Sequence, residues 1–438
     1  EKRLIKVAAH LAESPVGTLP GSFDCPADLT AAYRFMNNPA VGYRKLIEPH
    51  CRRTQAAMQE PGDYLEIEDT SPLDWTNHKQ VTGLGPIGDG KGQGLLLHST
   101  MVLRIEKWQA NQTPVVRMMG LQGQQVWARQ AAPPAEKKGD RLRRSRESER
   151  WGRTLEDAPA PGCRFIYVAD READIYDLLC HLREKKHDHV IRACQPRSLL
   201  NEKGSVLKKV AKERVLGALT LELRTRPKAP ARRVVLKVRA ITTTLQAPWR
   251  PDRTLPPLTL NVVEAREVNA PKGVEPLHWV LLTSLPIDTF ENILRVIGIY
   301  TRRWLIEEYH KALKTGAKIE QSQLTSAESI QTLLGILAII ALRLLGMKLL
   351  AEACPDEPIC PEIIDPIALK VLALKFGEPK GGWTYRALLV AIARLGGFTA
   401  RAGDGLPGWL TIWRGWQKLT DLVHGCKLAI DNNLHKCV

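Results

Sequence analysis

From Tyr64 onward, helical spacing gives way to strands. Tyr64-Leu65-Glu66-Ile67-Glu68-Asp69 alternates, Leu95 to Ile105 and Val115 to Leu121 are strand-like, and Arg164 to Ala169 is a further candidate. After Asp170 an amphipathic helix sets Ile175, Leu178, Leu179 and Leu182 on one face, and His189 to Cys194 reads as a buried strand. A run of strands followed by strand–helix alternation predicts a mixed α/β layer.

Short helices precede this layer. Leu4, Val7, Ala8 and Leu11 recur at helical spacing, and Asp28 is expected to cap a helix in which Leu29, Ala32, Tyr33 and Met36 repeat it. Lys2, Arg3, Lys6, Arg34, Arg44, Lys45, Arg52 and Arg53 dot this region, which reads as a solvated surface or as a DNA-contacting module. From Glu202 to Pro271 short strands punctuated by prolines predict a β-rich insertion on, or extending, the main sheet. Past Glu291 the chain turns helical, with Leu294 to Thr315 as one long helix and Ile330 to Glu352 as the next. Pro355, Pro358, Pro361 and Pro366 mark a linker before a last helical stretch carrying Trp383, Trp409, Trp413 and Trp416. The domain expectation is a helical region over 1–55, an α/β domain over 56–353 with its β insertion near 202–272, and a C-terminal helical region over 354–438.

The chain has 438 residues, with 63 Lys plus Arg against 47 Asp plus Glu, a net charge of +16. A surplus of that size favours a polyanionic partner, nucleic acid first and an anionic membrane second. Nine scattered cysteines show no CxxC and no zinc spacing, so they read as reduced thiols of a cytosolic protein. The apolar run Leu333 to Leu342 is far shorter than the roughly 20 residues of a membrane span, so a buried core helix and no membrane partner are expected. The chain opens on Glu1 with no signal-peptide core and no initiator Met, so residues are expected upstream. Ala131 to Arg153 holds Pro133-Pro134 and a dense run of Lys and Arg from Lys137, a surface loop that is solvated or touches phosphate.

Asp69 closes a strand on the face it shares with Leu65 and Ile67, a costly place for a carboxylate unless it is paired or binds a metal. Alone it could simply cap the next turn. Glu66 and Glu68 fall on the opposite face, where they are expected to be solvated. Asp170 also ends an apolar strand, where a helix cap is the plain alternative, and Asp174, one turn on, is a weaker candidate. Tyr300, Arg303, Glu307 and Lys314 fall at roughly 0°, −60°, −20° and −40° around a helix at 3.6 residues per turn, one narrow stripe. An ordinary ion-paired surface stripe explains that spacing but not the two strand-end aspartates. Three carboxylates from two strand ends and one helix can hold two divalent ions for phosphoryl transfer, and Mg²⁺ suits carboxylate and phosphate oxygens. Arg303 and Lys314 would neutralise phosphates beside them.

At this point the chain resembles DDE transposases of the insertion-sequence-four family. The signature Tyr-x2-Arg-x3-Glu-x6-Lys reads Tyr300 to Lys314, and Ile67-Glu68-Asp69-Thr70, Asp170-Arg171-Glu172-Ala173-Asp174-Ile175 and Ala391 to Phe398 look like the family's segments in the same order. The resemblance implies an RNase H-like catalytic core with a β-strand insertion, flanked by N-terminal and C-terminal helical regions. It implies Asp69, Asp170 and Glu307 as the catalytic metal-binding triad, with two Mg²⁺ ions for which Mn²⁺ may substitute. Tyr300, Arg303 and Lys314 become contacts to the cut DNA end, Trp279 in His278 to Thr283 the platform for a flipped base, and Arg192 a further basic contact. Without the family, Trp279 would read as a buried strand aromatic. The implied reaction is cut-and-paste transposition: water nicks a transposon end, the freed 3′-OH forms a hairpin, a second water opens it, and the 3′-OH attacks target DNA. The implied partners are terminal inverted repeats and target DNA, in a homodimeric synaptic complex; the Trp-bearing C-terminal helices could pair the subunits or equally form an intramolecular core. The implied setting is the bacterial cytoplasm, at the nucleoid. The similarity begins part-way into the family's N-terminal region, so end recognition is in question. A truncated, non-transposing DNA-binding inhibitor of an intact transposase is the alternative, and a metal nuclease without strand transfer is a third reading.

Overall fold

The computed structural model describes residues 1–13, 18–23, 25–130, 147–155, 160–223, 232–401 and 404–431. Most of the basic 137–153 segment lies outside them. Helices α1 (Lys2–Glu13), α2 (Leu19–Ser22), α3 (Pro26–Met36) and α4 (Tyr43–Ala57) open the chain. Asp28 sits inside the first turn of α3 and pairs with Lys6 at 2.6 Å, instead of capping the helix from outside.

Among the described residues ten strands form one sheet, in the order β2-β3-β1-β5-β6-β10-β9-β8-β7, with β4 on the same edge of β3 as β2. The strands are β1 (Gly62–Asp74), β2 (Gly85–Ile87), β3 (Gly92–Trp108), β4 (Pro114–Trp127), β5 (Cys163–Ala169), β6 (Asp188–Arg192), β7 (Gly217–Leu223), β8 (Arg232–Leu245), β9 (Leu258–Val268) and β10 (His278–Thr283). β1, β5 and β6 run parallel; β10 returns antiparallel beside β6. The insertion β7–β9 continues that same sheet through β10, so it extends the layer rather than lying on it.

Both faces of the sheet are covered. Leu65, Ile67, Val168, Val190 and Leu281 point to the helices after β10, whereas Tyr167, Ala169, Ile191, Val280 and Leu282 point to α5 (Tyr176–Glu184). This double burial overturns one expectation. Glu66 and Glu68 are 0% exposed, because β1 is a central strand whose second face is no more open to water than its first. Glu66 meets His187 at 2.7 Å, and Glu68 is ringed by partners described below. A buried carboxylate is tolerated only with such partners.

After the short α6 (Val206–Val210) and the insertion, α7 (Phe290–Arg302) and α8 (Trp304–Lys311) replace the single helix expected over Leu294 to Thr315. The ladder tightens at Arg303, where Arg303 and Ile306 donate to carbonyls three residues back. It widens again at Ala312–Gly316, where Ala317 reaches Ala312 five residues back. The next helix, α9 (Ala327–Ala353), is long and apolar enough to cross a membrane by length and composition, and it lies mostly buried inside this fold. Then come α10 (Pro366–Phe376), α11 (Tyr385–Leu395) and α12 (Trp409–Asp431). One continuous core runs from Val7 and Leu11 through the sheet to Trp413 and Val423, so both helical ends share it with the sheet.

Candidate active site

The parallel pairing of β1 with β5 ends at Glu68 opposite Ala169. Asp170 directly follows β5, whereas Asp69 does not close its strand as expected: β1 runs on to Asp74 because β3 keeps pairing with it, and Asp69 lies where the pairing with β5 stops, about 4.8 Å from the neighbouring strand. β6 ends at the same edge with Arg192, and antiparallel β10 begins there with His278 and Trp279. The topology therefore gathers Asp69, Asp170, Arg192 and Trp279 at one sheet edge. The tightened turn between α7 and α8 brings Tyr300, Arg303 and Glu307 to it.

Arg303 is the hub. Its guanidinium forms an ion pair with Glu307, approaches Asp69 Oδ2 at 3.9 Å and lies 5.9 Å from the Tyr300 ring centre. Its Nε is buried without a hydrogen-bond partner among the described residues. Asp69 is pushed up to about 7, first by burial, then by Asp170, and also by Glu307; Arg303 and the Thr70 amide oppose the rise. The three carboxylates therefore share one electrostatic neighbourhood. Asp170 also accepts from the Glu172 amide at 2.8 Å, so the cap expected of it is real and compatible with a second role.

Trp279 packs edge-on against Tyr300, ring centres 5.1 Å apart at 71°. Arg192 donates to the His278 carbonyl at 3.0 Å and acts electrostatically on Tyr300. Trp279 is half-buried, neither the fully buried strand aromatic nor a free one. Lys314 departs from the stripe. The widened turn at Ala312–Gly316 shifts it off an ideal helix, and its ammonium donates to the Pro72 carbonyl at 2.7 Å and pairs with Glu320 at 3.4 Å. Tyr300, Arg303 and Glu307 keep their contacts; Lys314 reaches the end of β1 instead.

A cavity of about 650 Å³ opens on this edge, walled by Asp69, Thr70, Glu307, Lys314, Trp304 and Trp409. Asp174 takes no part in it. It is buried, accepts from the amides of Cys194 and Gln195 at 2.8 and 2.7 Å and ion-pairs with Arg197, which makes it a structural tie below the sheet edge. Two groups escaped the sequence reading. His310, one turn after Glu307, lines the cavity with its pKa pushed down to about 3 by burial, and Glu320 accepts from the Asp74 amide at 2.9 Å. His310 sits at i+3 from Glu307, a spacing that could have flagged it. Glu320 lies beyond a turn that no periodicity marks.

Among the described residues no three acidic, His or Cys groups stand together as a ready metal cage; Arg303 lies between Asp69 and Glu307. The donor chemistry nevertheless fits a divalent cation. Carboxylates are hard oxygen donors, Asp170 and Glu307 both bear electrostatically on Asp69, and Asp69, disfavoured as an anion, is the one a cation would relieve.

A central mixed sheet flanked by helices on both faces is consistent with an RNase H-like fold. The family model described as a transposase DNA-binding region matches residues 1–41, and the one described as a transposase DDE domain matches residues 139–343. The first covers α1 to α3; the second holds Asp170 and Glu307 and begins after Asp69. Together they support a DDE transposase, an enzyme that cleaves DNA and transfers strands, with DNA as its partner. DDE transposase domains use divalent metal ions.

Proposed function

We propose that this chain is a cut-and-paste transposase of the insertion-sequence-four family, similar to the transposon-five transposase. The observation that carries the reading is Asp69, lifted to about 7 by burial together with Asp170 and Glu307. Asp170 and Glu307 lie near enough to bear on Asp69, and a divalent cation would relieve the negative charge gathered there. Asp69, Asp170 and Glu307 would hold two Mg²⁺ ions, or Mn²⁺ in their place. Bound there, the ions supply charge neutralisation and polarise phosphate oxygens.

The chain's own residues supply the rest. Arg303, with a buried unpaired Nε, is placed to donate to a phosphate oxygen at the cut end once its pairing with Glu307 is exchanged. Tyr300 and Trp279 form an aromatic wall on which an unstacked base can rest while the strand bends into a hairpin. Arg192 lies beside that wall and neutralises backbone charge there. Lys314 secures the end of β1 and lines the cavity, where its ammonium meets DNA. The N-terminal helices contact the transposon end. Two copies act together in the cytoplasm, one on each end.

The test uses duplexes copied from the two DNA flanks of the native gene, incubated with the full chain and Mg²⁺ and run on a denaturing gel, with Glu307→Ala as control. Nick, hairpin and transfer products that vanish in the control support the reading. Binding without cleavage favours a regulatory, non-transposing protein. Cleavage without hairpin or transfer products favours a nuclease.

A further inference from the structure

We propose that Glu68, His98 and Thr70 form a buried positioning relay that sets the orientation of the Asp69 carboxylate. The inference rests on reading Asp69 as a metal-binding carboxylate. Glu68, Asp69 and Thr70 are consecutive on β1, so Glu68 and Thr70 share one face and Asp69 takes the other. Glu68 is fully buried, and its carboxylate accepts from Thr100 Oγ1 at 2.9 Å, from the Gly152 amide at 2.9 Å and from the Tyr167 hydroxyl. Its Oε1 also faces His98 Nε2 at 2.9 Å. The other ring nitrogen, Nδ1, lies 2.7 Å from Thr70 Oγ1. Trp151 holds the ring edge-on, with centres 4.9 Å apart.

The last link leads back to the site. The Thr70 amide donates to Asp69 Oδ1 at 2.8 Å. Thr70 is thus gripped at both ends, by its hydroxyl on the buried face and by its amide at the carboxylate. With the ring proton of His98 on Nε2, in contact with Glu68 at 2.9 Å though outside hydrogen-bond geometry, Nδ1 is an acceptor and the Thr70 hydroxyl donates to it. A core needing only stability would be served as well by apolar groups of the same size, since a buried charged group rarely stabilises more than its apolar replacement. This network instead ends on a peptide whose N–H aims the carboxylate at the cavity. Partners of this kind around metal-binding groups typically affect metal affinity or activity by roughly 10–100-fold.

Thr70→Val keeps the shape and removes the hydroxyl; Thr70→Ser restores it. Mn²⁺ binding to the full chain is read from the free-ion signal in electron paramagnetic resonance, and single-turnover cleavage is measured on the flanking-DNA duplexes. Thr70→Val is expected to weaken both by roughly 10–100-fold, with DNA affinity unchanged and only a modest fall in melting temperature from the orphaned His98 nitrogen, and Thr70→Ser to recover most of the loss. Glu68→Gln is expected to fall similarly, and the double variant to be no worse than the worse single one, as for groups acting in series. Wild-type Mn²⁺ binding and cleavage in Thr70→Val, equal damage in Thr70→Ser, or additive losses in the double variant would overturn the relay. Asp69→Ala is the separate control: wild-type Mn²⁺ binding and cleavage there would sink the metal reading itself, not the relay alone.

Discussion

Burial, Asp170 and Glu307 raise the Asp69 carboxyl from 3.8 to about 7, so the folded chain holds this proton more tightly than the unfolded chain does. The metal-free fold must then lose stability as pH rises from about 4 to about 7, because only the unfolded form ionises freely there. At about 1.4 kcal/mol per unit, the effect is on the order of 2–4 kcal/mol. In chelator, Asp69→Asn is expected to melt higher than the parent at pH 8 and by a clearly smaller margin at pH 5. An equal margin at both values would show a plain steric gain and no titration. The same chemistry predicts that Asp69→Ala, Asp170→Ala and Glu307→Ala each abolish nicking and strand transfer while DNA affinity stays within a few-fold, read by gel and by fluorescence anisotropy. Measurable transfer by any one would remove that residue from the triad. The position of Asp69 on an apolar face was legible from alternation alone. The burial of Glu68 was not, because period two tells which residues share a face but not whether the second face meets water. That depends on β1 being central, a property of strands far away in sequence.

At the scale of elements, the site depends on how α7 lies on the β3–β4 hairpin. Gly298 sits where a Cβ would come within 2.1 Å of the Gln112 carbonyl oxygen, a backbone atom of a hairpin turn with φ 61° at Gln112. Backbone cannot yield as a flexible side chain does, so Gly298→Ala must push α7 off the hairpin. The expected cost is about 1–3 kcal/mol, seen as a lower melting temperature. Because Tyr300 and Arg303 follow directly, cleavage should fall more than the melting shift alone explains, and unchanged cleavage would show that the helix pivots without moving them. Trp279→Ala tests the neighbouring strand. It is expected to slow hairpin formation more than the first nick, in a quenched time course; equal slowing would make Trp279 structural. The helix carrying the signature was legible as helix, since its apolar period runs unbroken. Its tightening at Arg303 and widening at Ala312–Gly316 were not, because no Gly or Pro marks Arg303. Gly316, at the widened turn, is packed so closely on Trp413 that a Cβ there would meet the ring at 2.9 Å. Tertiary packing, not local propensity, bends this helix.

Across the whole molecule, the N-terminal helices, the sheet and the C-terminal helices are built around one core, tied by contacts such as Tyr43 to Gln124 at 2.7 Å and the His50 ring to the Leu121 amide at 3.0 Å. Trp409 and Trp413 are buried within the subunit, and Trp409 helps wall the cavity. Those two aromatics are therefore committed to the subunit's own core, whereas Leu422, Leu428 and Ile430 of the same helix stay exposed. Tryptophan spacing in sequence could not separate these cases, because a helix that packs inward and one that pairs outward show the same period. The charge surplus was legible from composition and carries the last prediction. A chain of net charge +16 that binds DNA through Lys and Arg releases counterions as it does so. With about six phosphates neutralised, log affinity should fall against log salt with a slope near about −5, and tenfold more salt would cost about five orders of magnitude. Fluorescence anisotropy on the flanking duplexes over a salt series measures this directly. Arg303→Ala should lower the slope by about one if its guanidinium meets a phosphate. A slope unchanged in that variant would mean that Arg303 serves only to hold Glu307 and Asp69, and a flat dependence in the parent would mean that the positive surplus of this molecule is not its DNA-binding surface.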